Sequence, residues 1–65
     1  MYKNKIAVYR KHLNMTLSEM AVKVGISPGY LCHLENGSRC NPSIEVMEKI
    51  AKVLHSSISD VFFSE

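Results

Sequence analysis

Disulfide frameworks and zinc ligand sets are both missing from this chain of 65 residues, whose two cysteines, Cys32 and Cys40, stand apart from any second pair. One such pair in a helical domain without a secretion signal is expected to stay reduced. His33 adjoins Cys32, yet neighbouring helical side chains point about 100° apart, and no C-x-x-C or H-x-x-x-H spacing occurs. No metal site and no cofactor are therefore expected. Although 46% of the residues are hydrophobic, no run approaches the roughly 18 consecutive apolar positions of a membrane span. The N-terminus lacks a signal-peptide h-region, so a cytoplasmic protein is expected. The length allows one domain, residues 1–65, near the lower limit for a fold held by a hydrophobic core alone. An enzyme with a deep pocket is not expected. Cys32, His33 and His12 are the only plausible nucleophile and base residues, and nothing suggests an oxyanion site around them.

Charge is scarce overall, a net +2, but it is unevenly placed. Residues 1–41 carry Lys3, Lys5, Arg10, Lys11, Lys23 and Arg39 against Glu19 and Glu35, a net of +4. From Pro42 onward, Lys49 and Lys52 face Glu45, Glu48, Asp60 and Glu65, a net of −2. The basic part could meet phosphates, while the acidic part is left to pack or to meet protein.

What is present is punctuation. The stretch Thr16 to Asn36, TLSEMAVKVGISPGYLCHLEN, reads as two short amphipathic helices around a glycine turn. Thr16 with Glu19 three residues on is a capping box, and Gly25 ends the helix in a left-handed conformation. Ser27 supplies the next N-cap, Pro28 suits the first helical position, and Gly37 closes the second helix. Helices joined by so short a turn cannot lie antiparallel. The second is held out as in a helix-turn-helix, where it can enter a DNA major groove.

Three more helices complete an all-α reading. The first is expected from Lys3 to Leu13, with Ile6, Tyr9 and Leu13 on one face and Asn14 as a left-handed end. Leu17, Met20, Ala21 and Val24 form the inner stripe of the second helix, and Ile26 plugs the turn. Ser43 caps a fourth helix with Ile44, Met47, Ile50, Ala51 and Leu54 inward. Its outer Glu45/Lys49 and Glu48/Lys52 pairs contribute only about 0.2–0.5 kcal/mol each. Ser57 and Asp60 start a final helix carrying Ile58, Val61 and Phe62. Phe63 should point away from that core, which marks it, with the outer Val46 and Val53, as a candidate homodimer interface. The four methionines read as core filler.

On the third helix, Leu31 and Leu34 face the core, with Ser27 and Tyr30 at the margin. Gly29, Cys32, His33 and Asn36, spaced i, i+3, i+4, i+7, form the opposite stripe, the face expected to read bases together with Pro28 at its start. Only His33 and Asn36 offer base-reading polar groups. His33 is the expected main reader, donating to a guanine N7 or O6, while Gly29 lets the backbone approach. Thr16, Ser27 and Tyr30, with backbone N–H groups at the starts of helices two and three, are expected to hold phosphates, joined by Ser38 and Arg39 beyond the recognition helix.

Several motifs carry a family match: Tyr9-Arg10-Lys11, TLSEMA from Thr16, Val24-Gly25-Ile26-Ser27, Tyr30-Leu31, Leu34-Glu35-Asn36-Gly37, Asn41-Pro42-Ser43 and Lys49-Ile50-Ala51. From Ile6 to Phe62 the chain resembles the lambda-repressor-like, or Cro/cI, helix-turn-helix family. That resemblance implies a compact five-helix domain of bacterial or phage origin, binding double-stranded DNA as a dimer on inverted repeats to regulate transcription, most often as a repressor. It also implies an ion pair between Arg10 and Glu35 linking the first and third helices. Where many members place a phosphate-holding Gln this chain has Leu17, which leaves the helix N-terminus to do that work. Polar residues frequent at Pro28 and Gly29 are replaced, and His55 and Ser56 stand where Gly and a hydrophobic residue are usual, implying a last loop that is either strained or loosely packed. The alternative reading is an antitoxin or accessory module of the same fold, acting on a protein partner with DNA binding secondary.

Overall fold

The computed structural model describes residues 4–37 and 42–63. Four α-helices follow in order: α1 Ile6–His12, α2 Leu17–Val24, α3 Pro28–Asn36 and α4 Ile44–Val53. A π-helical turn, Ser59–Phe63, ends the described chain. No strand occurs among the described residues.

Each helix begins where a short polar side chain can bond the backbone N–H groups that a helix N-terminus leaves unpaired. Thr16 Oγ1 accepts from Glu19 N–H at 3.0 Å, and the Glu19 carboxylate accepts from Thr16 N–H at 2.8 Å, completing the expected capping box. Ser27 and Ser43 cap α3 and α4 by accepting from Tyr30 and Val46 N–H. Ser57 accepts from Asp60 N–H ahead of the π turn. Gly25 and Gly37 end α2 and α3 with φ of 87° and 70°, a region that suits glycine because it has no Cβ. Asn14 and His55 adopt the same left-handed region, at 59° and 56°. The strain expected in the loop at His55 thus has a specific backbone location.

Helix α1 starts at Ile6 rather than at Lys3, which itself lies outside the described residues. Two bonds account for the late start. Asn4 Oδ1 caps Ile6 N–H at 3.0 Å, and Lys5 N–H donates to the Val61 carbonyl of the π turn at 2.7 Å.

The core gathers Ile6 from α1, Met20, Ala21 and Val24 from α2, Leu31 and Leu34 from α3, Ile50 and Leu54 from the α4 region, and Val61 and Phe62 from the π turn. Met15, Leu17, Tyr9 and Met47 pack around it half-buried. Two inward assignments fail at helix ends. Ile44 shares the α4 stripe of Ala51, but as the first residue of the helix it overhangs the core and is 67% exposed. Leu13 caps α1 and is 39% exposed for the same reason. Val46 and Val53, expected on the outer side of α4, flank Ile50 on the wheel and are half-buried against the core.

Candidate nucleic-acid interface

The inner face of α3 is anchored at three levels. Leu31 and Leu34 are fully buried. Beside them Glu35 receives a two-pronged grip from Arg10 of α1, with Nε to Oε2 at 2.6 Å and Nη2 to Oε1 at 3.2 Å. Arg10 Nη1 also donates to the Met15 carbonyl at 2.9 Å, so the guanidinium ties α1, the α1–α2 loop and α3 together. These two side chains are only 12% and 10% exposed, which makes each charge dependent on the other. The ion pair implied by the family resemblance is present. The third anchor is Asn4, whose Nδ2 donates at 2.7 Å to the Leu34 carbonyl near the end of α3. Asn4 carries no sequence signal of this role as an anchor of α3. The start of a helix could have suggested its cap on Ile6, but nothing local signals a bond across thirty residues.

With one face so held, the other is presented outward. Pro28, Gly29, Cys32, His33 and Asn36 are all exposed, as the helical wheel predicts, and Tyr30 is half-buried at the margin. Asn36 Nδ2 lies 3.5 Å from Cys32 Sγ one turn earlier, so these two neighbours share a weak hydrogen bond. A Cβ added at Gly29 would meet nothing within 4 Å. The fold therefore does not require glycine there, and the missing side chain leaves space on the outer face.

At the two helix starts, the phosphate-binding inventory is narrower than the sequence suggests. Thr16 N–H is taken by Glu19, and the Tyr30 N–H by Ser27. Pro28 has no N–H to offer. What remains by helix geometry is the N–H of Leu17 and Ser18 at α2 and of Gly29 at α3. The Ser27 hydroxyl accepts its capping bond and keeps its own O–H as a donor, whereas the Thr16 hydroxyl, which accepts from Glu19 N–H, also serves the Glu19 carboxyl. The bonds from the Thr16 backbone N–H and hydroxyl hold the Glu19 carboxyl below the usual carboxylate range, with Lys23 adding to the effect. Leu17 is half-buried against the core, so it brings only its backbone. Ser38, Arg39 and Cys40 lie outside the described residues. No group of three or more His, Cys, Asp or Glu side chains placed to hold a metal occurs among the described residues.

Two helices linked through a left-handed glycine, the second braced from behind and bare in front, define a helix-turn-helix protein. Residues 6–61 match the helix-turn-helix family model. The transcriptional regulator SinR of Bacillus subtilis is 41% identical over 54 residues, spanning 83% of this chain and 49% of SinR. The regulator SlrR of the same organism is 32% identical over 60 residues, 92% of this chain and 40% of SlrR. The chain thus spans about half the length, or less, of these relatives. Among solved structures, SinR in complex with DNA superposes with a TM-score of 0.77 at 41% identity, over 83% of this chain and 86% of that one. The SinR/SinI protein complex gives 0.79 at 40% identity, over 85% of this chain and 53% of that one. The chain belongs to the Cro/cI-type helix-turn-helix family.

Proposed function

We propose that this chain is a sequence-specific double-stranded DNA-binding regulator of transcription, acting as a dimeric repressor on an inverted repeat. The observation that carries the reading is the outer face of α3: Gly29, Cys32, His33 and Asn36 exposed along a helix whose opposite side is locked by Leu31, Leu34 and the Arg10–Glu35 pair. His33 reads base edges from the middle of that face, with Asn36 one turn nearer the helix end. Pro28 and Gly29 let the helix start approach closely, while Thr16, Ser27 and the open N–H groups of Leu17 and Gly29 hold the backbone. The DNA-bound structure of SinR supports the reading. A single copy measures 24 × 21 × 19 Å across its Cα atoms. It cannot present two recognition helices about 34 Å apart, so each half-site takes its own copy.

Selection of duplexes from a random pool tests this reading. An enriched inverted repeat with half-sites about one helical turn apart is the expected outcome, and His33→Ala should erase preference at one base position per half-site, at a cost of about 1–3 kcal/mol. Salt-sensitive binding with no enrichment would overturn the sequence-specific reading. It would favour the accessory role on a protein partner, for which the SinR/SinI complex is a precedent.

A further inference from the structure

Helix α1 carries a second surface that the DNA-binding reading does not use. Lys5, Val8, Tyr9, Lys11 and His12 line a shallow groove of about 510 Å³. Val8 is 64% exposed within it, an apolar side chain with no core role. The helix sequence IAVYRKH holds no acid, and Arg10 is already engaged by Glu35, so exposed Lys11 gives the groove a cationic wall.

The complementary chemistry lies next to it on the same chain. Lys5 N–H bonds to the Val61 carbonyl, which places the π turn against the start of α1. Two residues beyond Val61, Phe63 is 64% exposed, and Asp60 is exposed in the same turn. Phe63 therefore does not fill the groove of its own chain. One edge of the molecule shows a shallow groove holding exposed Val8 and Lys11 beside an acid and an unburied aromatic ring.

We infer that the α1 groove receives the Asp60–Phe63 turn of a second copy of this chain, with the exchange made twice about a two-fold axis. A patch holding both halves of a complementary pair is what a closed symmetric interface needs, because each contact is then repeated by its mate. Phosphate would satisfy Lys11 but offers nothing to Val8 or Phe63, whereas the π turn of a second copy matches both. The contact covers Val8 with Phe63 and sets Asp60 against the Lys11 wall. It rests on the dimeric reading above and names where that dimer closes.

Charge exchange in the intact chain tests it, read by sedimentation velocity over a concentration series without DNA. Lys11→Glu and Asp60→Lys, both surface changes whose folding is checked by melting, should each weaken self-association about tenfold or more. Phe63→Ala should do the same. Mixing the two charge variants in equal amounts should restore the dimer, because a mixed pair sets Glu against Lys in one groove and Lys against Asp in the other. A dimer indifferent to both substitutions would overturn this interface and leave the dimeric reading standing. A chain that stays monomeric at every concentration would overturn both. Variants that lose only DNA affinity would reassign the groove to phosphate and overturn the proposal.

Discussion

The two faces of α3 differ in how completely their groups are committed. On the inner side, Leu31 and Leu34 are buried, Glu35 is gripped by Arg10, and the Leu34 carbonyl is bonded by Asn4. On the outer side, the one side-chain contact recorded among the described residues is the long bond from Asn36 to Cys32. A helix can offer unspent polar groups to a partner only if its other side fixes its position. Changes on the inner face should therefore register first as lost stability, and changes on the outer face as lost binding at unchanged stability.

The largest expected effect comes from breaking the inner side at its charge. Arg10→Ala strands Glu35 in a nearly closed site and removes three charge-assisted bonds, two to Glu35 and one to the Met15 carbonyl, which should cost about 2–3 kcal/mol. For a domain of this size that lowers the melting temperature by about 10 °C or more. Replacing both partners, as Arg10→Met with Glu35→Leu, should recover much of the loss, because no uncompensated charge remains. An unchanged melting temperature in Arg10→Ala would show that the pair does not brace α3. DNA affinity measured well below the melting point should fall less steeply than stability.

A smaller effect sharpens the outer side. Gly29 sits in the first turn of α3 with an ordinary helical φ and open space where a Cβ would go. Gly29→Ala should therefore stabilise the fold by about 0.5–1 kcal/mol, since alanine is the better helix former. If the groove wall or a phosphate closes on that backbone, the same methyl group should weaken DNA binding. Thermal melting and a binding isotherm on one preparation would reveal the opposed signs. A rise in both would mean that DNA does not approach Gly29.

Much of this arrangement was legible in the chain because it is written locally. Thr16/Glu19, Ser27-Pro28, Ser43 and the glycines at 25 and 37 act within one turn of themselves, so spacing alone locates the helix ends. The outer stripe of α3 follows from the same periodicity. The Arg10–Glu35 pair became legible only through resemblance, since twenty-five residues separate its partners. Asn4 and the bond from Lys5 to Val61 were not legible at all, because long-range backbone bonds leave no periodic trace. Ile44 and Leu13 misled for a related reason: a helical wheel treats a helix as endless, whereas the core it packs on is not. The inventory of open N–H groups also needed coordinates, because the caps themselves consume donors that the sequence alone leaves available.

The helix starts of α2 and α3 extend the same contrast to charge. Both are capped by a hydroxyl, but α2 carries its own anion, Glu19, whereas α3 has no acid in its first turn. A phosphate near α2 must share the terminus with that carboxylate, while one near α3 meets no such competitor. Because bonding to Thr16 lowers the Glu19 carboxyl below its unfolded value, its stabilising effect is present above the ordinary carboxylate range. It is lost as pH falls through the lowered folded value. Glu19→Gln can keep the capping geometry without the charge, so it should be slightly less stable than the parent at neutral pH and equal to it in acid. If phosphate does reach α2, the same substitution should tighten DNA binding at neutral pH by removing a like charge. Gly29→Ala and Glu19→Gln are then mirror images: the first trades binding for stability at the start of α3, the second stability for binding at the start of α2. Glu19→Gln that loses stability with no gain in affinity would place the phosphate contact at α3 alone, and would make Ser27 and the Gly29 N–H its principal donors.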